Sequence, residues 1–85
     1  MTKDKRIGFI GIMIEDLNNV DAVNKAIHDS NRLVIARMGI PYRERNIATI
    51  SLIVEGTNDE VSALTGTLGR IKGVNVKSML EKTRK

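Results

Sequence analysis

Two helix-period stripes, each set between strand-like runs, constrain this chain more than any other feature. Val20, Val23 and Ile27 fall at i, i+3 and i+7, with Ala26 on the same side, and predict a helix from Val20 to about Asp29. Asp16 to Asn19 reads as its opening turn, because short polar side chains cap free N–H groups there, and Ser30 and Asn31 stop it. Val61, Leu64, Leu68 and Ile71 repeat the stripe in a second helix, opened by Thr57 and Glu60 at capping-box spacing. Gly66 and Gly69 sit inside it, each costing roughly 1 kcal/mol against Ala. They point to close packing on a sheet or to fraying of the last turns. Gly73 is placed for the C′ position.

Four strand-like runs surround these helices. Ile7 to Ile14 is apolar on both parities, which predicts a strand covered on both faces. Leu33 to Ile40 is the second strand, expected to finish before Pro41, which cannot donate to a central ladder. Tyr42 to Asn46 is a charged turn. Ile47 to Glu55 alternates: Ala48, Ile50, Leu52 and Val54 share one face, and Ile47, Thr49, Ser51, Ile53 and Glu55 the other. The second of these faces is mixed and looks like a surface that something else covers in part. Val74 to Leu80 is the last strand.

The order β-α-β-β-α-β implies two right-handed crossovers, which place both helices on one face of a four-stranded antiparallel sheet. The fold class is therefore α+β, ferredoxin-like βαββαβ, over residues 6–80, with short basic tails at 1–5 and 81–85. The opposite sheet face has no helix to cover it. Its apolar content predicts sheet-to-sheet or edge-to-edge oligomerisation, a dimer at least. At 85 residues the core is small, and self-association often supplements cores of this size.

Composition removes several kinds of chemistry. With no Cys, disulfides, thiolate nucleophiles and Cys-ligated metals are excluded, which fits a reducing, cytoplasmic setting. No apolar run approaches the roughly 20 residues of a membrane helix, and no cleavage-site pattern follows the charged start. The formal charge is +4, of which +3 falls in the ten residues of the two tails, so the basic balance reads as solvated ends. The loop Glu15 to Asn19 is acidic and lacks Gly, unlike a phosphate cradle. Phe9 and Tyr42 are the only aromatics, and Phe9 alone is expected in a strand, too few to stack bases. One α/β domain consumes residues 6–80, leaving no segment for a DNA-binding motif.

A few polar residues could form sites. His28, the only imidazole, reads as an exposed helix residue rather than a metal ligand or pH switch. Glu15 and Asp16 could seat a cation or an acid–base step, but acids also favour the turn that opens a helix. Arg37 is unusual in mid-strand. It is expected to pair with Glu55 across the mixed face, with anion binding in an oligomer interface as the alternative. The turn around Tyr42, Arg43 and Arg45 is either a contact loop or a solvated hairpin tip.

The stretch Arg37 to Asn46 with its Arg-x-Gly-x-Pro start, the strand Ile50 to Val54, Asn58-Asp59, Ala63 to Gly69 with Leu-x-Gly-x-Leu-Gly, and Ile71 to Val76 resemble the iron-only hydrogenase system regulators. Members of that family are similar in fold to ACT domains and to the metal-sensing domain of nickel-responsive repressors. The resemblance implies a non-enzymatic regulatory module without a cofactor. It implies a homo-oligomer, dimer or tetramer, that takes a small effector or a protein partner at subunit interfaces. Gly11, Asn18, Asn19, Arg37 and Gly39 are the ligand-binding positions to watch, and a structural assembly domain without a ligand is the alternative. Amino-acid-binding ACT domains usually carry Gly in the first turn, where this chain has Asn18 and Asn19. Nickel-sensing domains use several His and a Cys, of which only His28 is present.

Overall fold

The computed structural model describes residues 4–82, so most of the two basic tails lies outside the described residues. Its elements are β1 (Arg6–Ile14), α1 (Val20–Asp29), β2 (Val34–Tyr42), β3 (Ile47–Gly56), α2 (Asn58–Gly69) and β4 (Val74–Leu80). The four strands form one sheet in the order β2-β3-β1-β4, with every pair antiparallel. The α+β, ferredoxin-like order expected from the periodicities is the one observed.

Strand parity sets the core. Ile10, Ile12 and Ile14 of β1, Ile50, Leu52 and Val54 of β3 and Val74 of β4 are buried on one sheet face. Val23, Ala26 and Ile27 of α1 and Val61, Leu64 and Leu68 of α2 close over them in a single cluster. Ile71 packs on this cluster from beyond the end of α2. Helix α1 has the predicted bounds, and Ser30 N–H bonds back to the Ile27 carbonyl at 3.1 Å where it ends.

The capping box of α2 is complete. The Glu60 N–H donates to Thr57 Oγ1 at 3.2 Å, and the Thr57 N–H donates to Glu60 Oε1 at 2.9 Å. Arg32 Nη1 reaches the other carboxylate oxygen at 2.9 Å. The Thr57 N–H first, and the Arg32 guanidinium second, lower the Glu60 carboxyl from 4.5 to about 2. An acid held below its unfolded value stabilises the fold above that value, and the contribution fades as pH falls through the window from 4.5 to about 2. Glu60→Gln keeps an acceptor for Thr57 but loses the charge. In urea titrations, wild type is expected to exceed the variant in stability at neutral pH, with the gap closing as pH approaches 2. A gap that is constant with pH would refute the assignment.

Four local expectations are corrected. Leu33 lies in a 3-10 turn, Asn31–Leu33, and β2 starts at Val34 and continues through Pro41 to Tyr42. A proline is tolerated there because β2 is an edge strand, where one side of the backbone has no ladder partner. Gly73 is not the C′ residue: α2 ends at Gly69 with Arg70 as its cap, and Gly73 takes φ 75° in the turn before β4. Gly66 and Gly69 do not abut the sheet. A Cβ on Gly66 would meet only Arg70 Nη1, at 3.5 Å, and one on Gly69 nothing within 4 Å. Arg37 does not pair with Glu55. It sits opposite Leu52 on the helix-facing parity and donates to Asn24 Oδ1 of α1, whereas Glu55 sits opposite Ile7 on the other parity.

Candidate functional site

Among the described residues, no helix covers the second sheet face. It can be laid out in rows across the strands from their pairing. One row runs Ala36, Ile53, Phe9, Met79 from β2 to β4. The next runs Met38, Ser51, Gly11, Lys77, and the one after it Ile40, Thr49, Met13, Asn75. Ile7 and Glu55 lie beyond one end, Tyr42 and Ile47 beyond the other. Seven large apolar side chains of this face, Ile7, Phe9, Met13, Met38, Ile40, Tyr42 and Met79, are 38–63% exposed. Together they make an apolar surface, interrupted by Ser51, Thr49, Asn75 and Lys77, of the kind found at interaction sites.

The surface is not flat. Gly11 and Ser51, paired across β1 and β3, are small and leave a hollow of about 350 Å³ walled by Met13, Thr49, Asn75 and Lys77. A second hollow of about 350 Å³ lies on the other side of Ser51, among Phe9, Ala36, Met38 and Ile53. The first is mostly apolar, with two hydroxyls, an amide and the Lys77 amine around it.

The loop between β1 and α1 is built differently. The Glu15 and Asp16 N–H groups donate to the Gly73 carbonyl at 2.7 and 3.3 Å. Asp16 Oδ1 accepts from the Asn18 N–H at 3.1 Å and so caps a 3-10 turn, Leu17–Asn19. Asn19 Nδ2 donates to the Lys72 carbonyl at 2.6 Å. The loop is thereby tied to the turn between α2 and β4, and the acid at 16 has the turn-opening role weighed for it.

The five positions singled out from sequence do not share one face of the chain. Gly11 opens on the bare face. Asn18 and Asn19 sit in the loop past the end of β1. Arg37 and Gly39 have the helix-facing parity of the edge strand β2, opposite Leu52 and Ile50. His28 is exposed on α1. The residues that sequence reasoning passed over are Phe9, Met13, Met38 and Met79. For Phe9 and Met13 the signal was present in β1, whose apolar residues occupy both parities; Met38 and Met79 join them only once the strands are paired. Tyr42 belongs to β2 and not to the turn, so both aromatics lie in strands, on β1 and at the far end of β2.

This architecture, βαββαβ with a helix-free apolar sheet face, defines a small ACT-like α+β domain. Residues 6–78 match the family described as "TM1266-like: Iron-only hydrogenase system regulator, putative", and the chain belongs to that family. The solved structure of the uncharacterized protein TM1266 from Thermotoga maritima is 35% identical to it. It superposes with a TM-score of 0.87, over 92% of this chain and 99% of that one. The ACT domain of GTP pyrophosphokinase from Chlorobium tepidum shares the fold at 19% identity. Its TM-score is 0.73, covering 91% of this chain and 89% of that one. The C-terminal domain of the MgtC protein from Mycobacterium tuberculosis does so at 12% identity. Its TM-score is 0.70, covering 95% and 93%. No curated protein sequence is significantly similar to the chain. Among the described residues, no helix is long and apolar enough to cross a membrane.

Proposed function

We propose that the chain is a non-enzymatic regulatory module of an iron-only hydrogenase system. In this reading it acts as a homo-oligomer and takes a small effector or a protein partner where subunits meet. The observation that carries the reading is the bare sheet face, with its seven half-exposed large apolar side chains. Burying them against another chain recovers hydrophobic free energy that an 85-residue core alone does not supply. Gly11, Asn18, Asn19, Arg37 and Gly39 do not share one face of the chain, so a single effector that touched all of them would have to bridge subunits.

One observation favours the second reading, an assembly domain without a small ligand. The polar groups of the β1–α1 loop are spent internally, Asn19 on Lys72 and Asp16 on Asn18. Two measurements separate the readings. Sedimentation at micromolar concentration is expected to give a dimer or larger species, and a monodisperse monomer overturns both. A thermal-shift panel of amino acids, nucleotides and divalent cations is expected to contain a compound that raises the melting temperature, since a ligand of the native state stabilises it. An intact oligomer with no shift across the panel supports assembly alone.

A further inference from the structure

We propose that a second copy of this chain covers the bare face, with Phe9 of each copy seated in the hollow over Gly11 of the other. The two-fold axis would lie between the stacked sheets and cross β1 between these two residues. The proposal rests on the oligomeric half of the reading above and names the surface and register that it uses.

Nothing among the described residues of one chain requires glycine at position 11. Gly73 is the only glycine with positive φ among the described residues. A Cβ on Gly11 would meet only the Lys77 carbonyl oxygen, at an ordinary 3.9 Å. A β-branched residue would fit and would suit a strand interior better. What the glycine does is leave the hollow.

Two adjacent rows of the face have complementary size profiles. A two-fold axis perpendicular to the strands and midway between the rows exchanges them strand by strand. Phe9 then meets Gly11, Ile53 meets Ser51, and Met38 meets Ala36. On three strands a large residue faces a small one. On the fourth, Met79 meets Lys77, whose stem can lie along the thioether while the amine reaches the rim. A protrusion and a hollow two residues apart on one strand are self-complementary under such an axis, as an isologous interface demands. Stacked sheets cross at an angle, so the central strands β1 and β3, which hold two of these pairs, keep the register best.

Area and charge agree with a second copy. Four strands about 4.8 Å apart and about 9 residues long present roughly 19 by 30 Å, or about 1,100 Å² counted over both copies. That reaches the scale of about 1,000 Å² that a specific interface needs. Within the strands, this face carries one acid, Glu55, and one base, Lys77, so it does not repel its own copy. Of the two sheet edges, β2 and β4, pairing along β2 is blunted by the irregularity between Val34 and Ala36 and by Pro41. The proposal gives Gly11 to subunit packing and leaves Asn18, Asn19, Arg37 and Gly39 for an effector.

The test is sedimentation equilibrium on the full chain. Gly11→Val and Ser51→Ile fill the hollows and Phe9→Ala removes the protrusion. Each is expected to raise the dimer dissociation constant about tenfold or more. The melting temperature of Gly11→Val, measured below its dissociation constant, is expected not to fall. The double variant Phe9→Ala with Gly11→Phe exchanges protrusion and hollow between the rows and is expected to regain most of the affinity. Should Gly11→Val fail to fold, Ser51→Ile, at an exposed position on another strand, gives the answer. A dimer that Gly11→Val and Ser51→Ile leave within twofold of wild type overturns this interface while the oligomeric reading stands. A wild-type monomer overturns both.

Discussion

Leu52→Ala is expected to destabilise the fold by about 2–5 kcal/mol, the range for truncating a large aliphatic side chain that a core cannot refill. Leu52 is 0% exposed, and β3 is an interior strand, with Ile10 of β1 on one side and Arg37 of β2 on the other. Its side chain belongs to the single buried cluster that holds residues of both helices. A domain of this length has a total stability on the order of 4–13 kcal/mol, so the loss is a large share of it. The melting temperature is expected to fall by roughly 8–40 °C in circular dichroism, at about 4–8 °C per kcal/mol for a chain of this size. Wild type and variant must be compared at one protein concentration, because self-association adds to apparent stability. The neighbouring position makes the contrast. Ile53→Ala, one residue on and therefore on the bare face, is expected to lower the melting temperature much less and to weaken self-association instead. A loss below about 1 kcal/mol for Leu52→Ala would mean that the two faces of β3 have been assigned the wrong way round.

That contrast also shows why the two faces differ in legibility. The period-2 alternation of β3 and the period-3.6 stripes of α1 and α2 report burial directly, so the core follows from local sequence. The capping box does too, because its two hydrogen bonds join residues three apart. Pro41 misled because whether a strand is central or at an edge is a property of the sheet, which sequence order alone does not state. Arg37 misled for a related reason. The register shift between Val34 and Ala36 sets which residues of β2 face the helices, and that shift has no local marker. It turns the guanidinium toward Asn24 rather than toward Glu55. The candidate face was legible in outline, from apolar residues on both parities of β1 and from the mixed second face of β3, but not residue by residue. The hollow at Gly11 and Ser51 needs two strands in register before it exists at all.

Gly73→Val is expected to be nearly as damaging as the core truncation, by about 2–4 kcal/mol, and it connects stability to the loop that holds Asn18 and Asn19. Gly73 has φ 75°, where a β-branched residue is strained by roughly 1–3 kcal/mol. Space adds to the strain: a Cβ there would stand 2.5 Å from Asp16 Cβ and 3.1 Å from the Asp16 backbone nitrogen. The Gly73 carbonyl accepts from both Glu15 and Asp16, so relieving the clash by moving either turn breaks the tie between them. Asp16 in turn caps the Leu17–Asn19 turn, and Asn19 holds the Lys72 carbonyl. The variant is therefore expected to lose amide hydrogen-exchange protection at Glu15 and Asp16 as well as global stability. Protection in the middle of the β1–β3 ladder, around Ile10 and Leu52, should fall only by the global amount, because it lies away from the Ile14 end that adjoins the strained turn. Gly73→Ala keeps the unfavourable φ and the clash but drops the β-branch, and should fall between wild type and Gly73→Val. A valine variant with wild-type stability and unchanged protection at Glu15 and Asp16 would refute this account of the turn. If Asn18 and Asn19 contribute to effector binding, the same substitution weakens that binding at a temperature where the sheet is still folded, which separates the loop's contribution from that of the bare face.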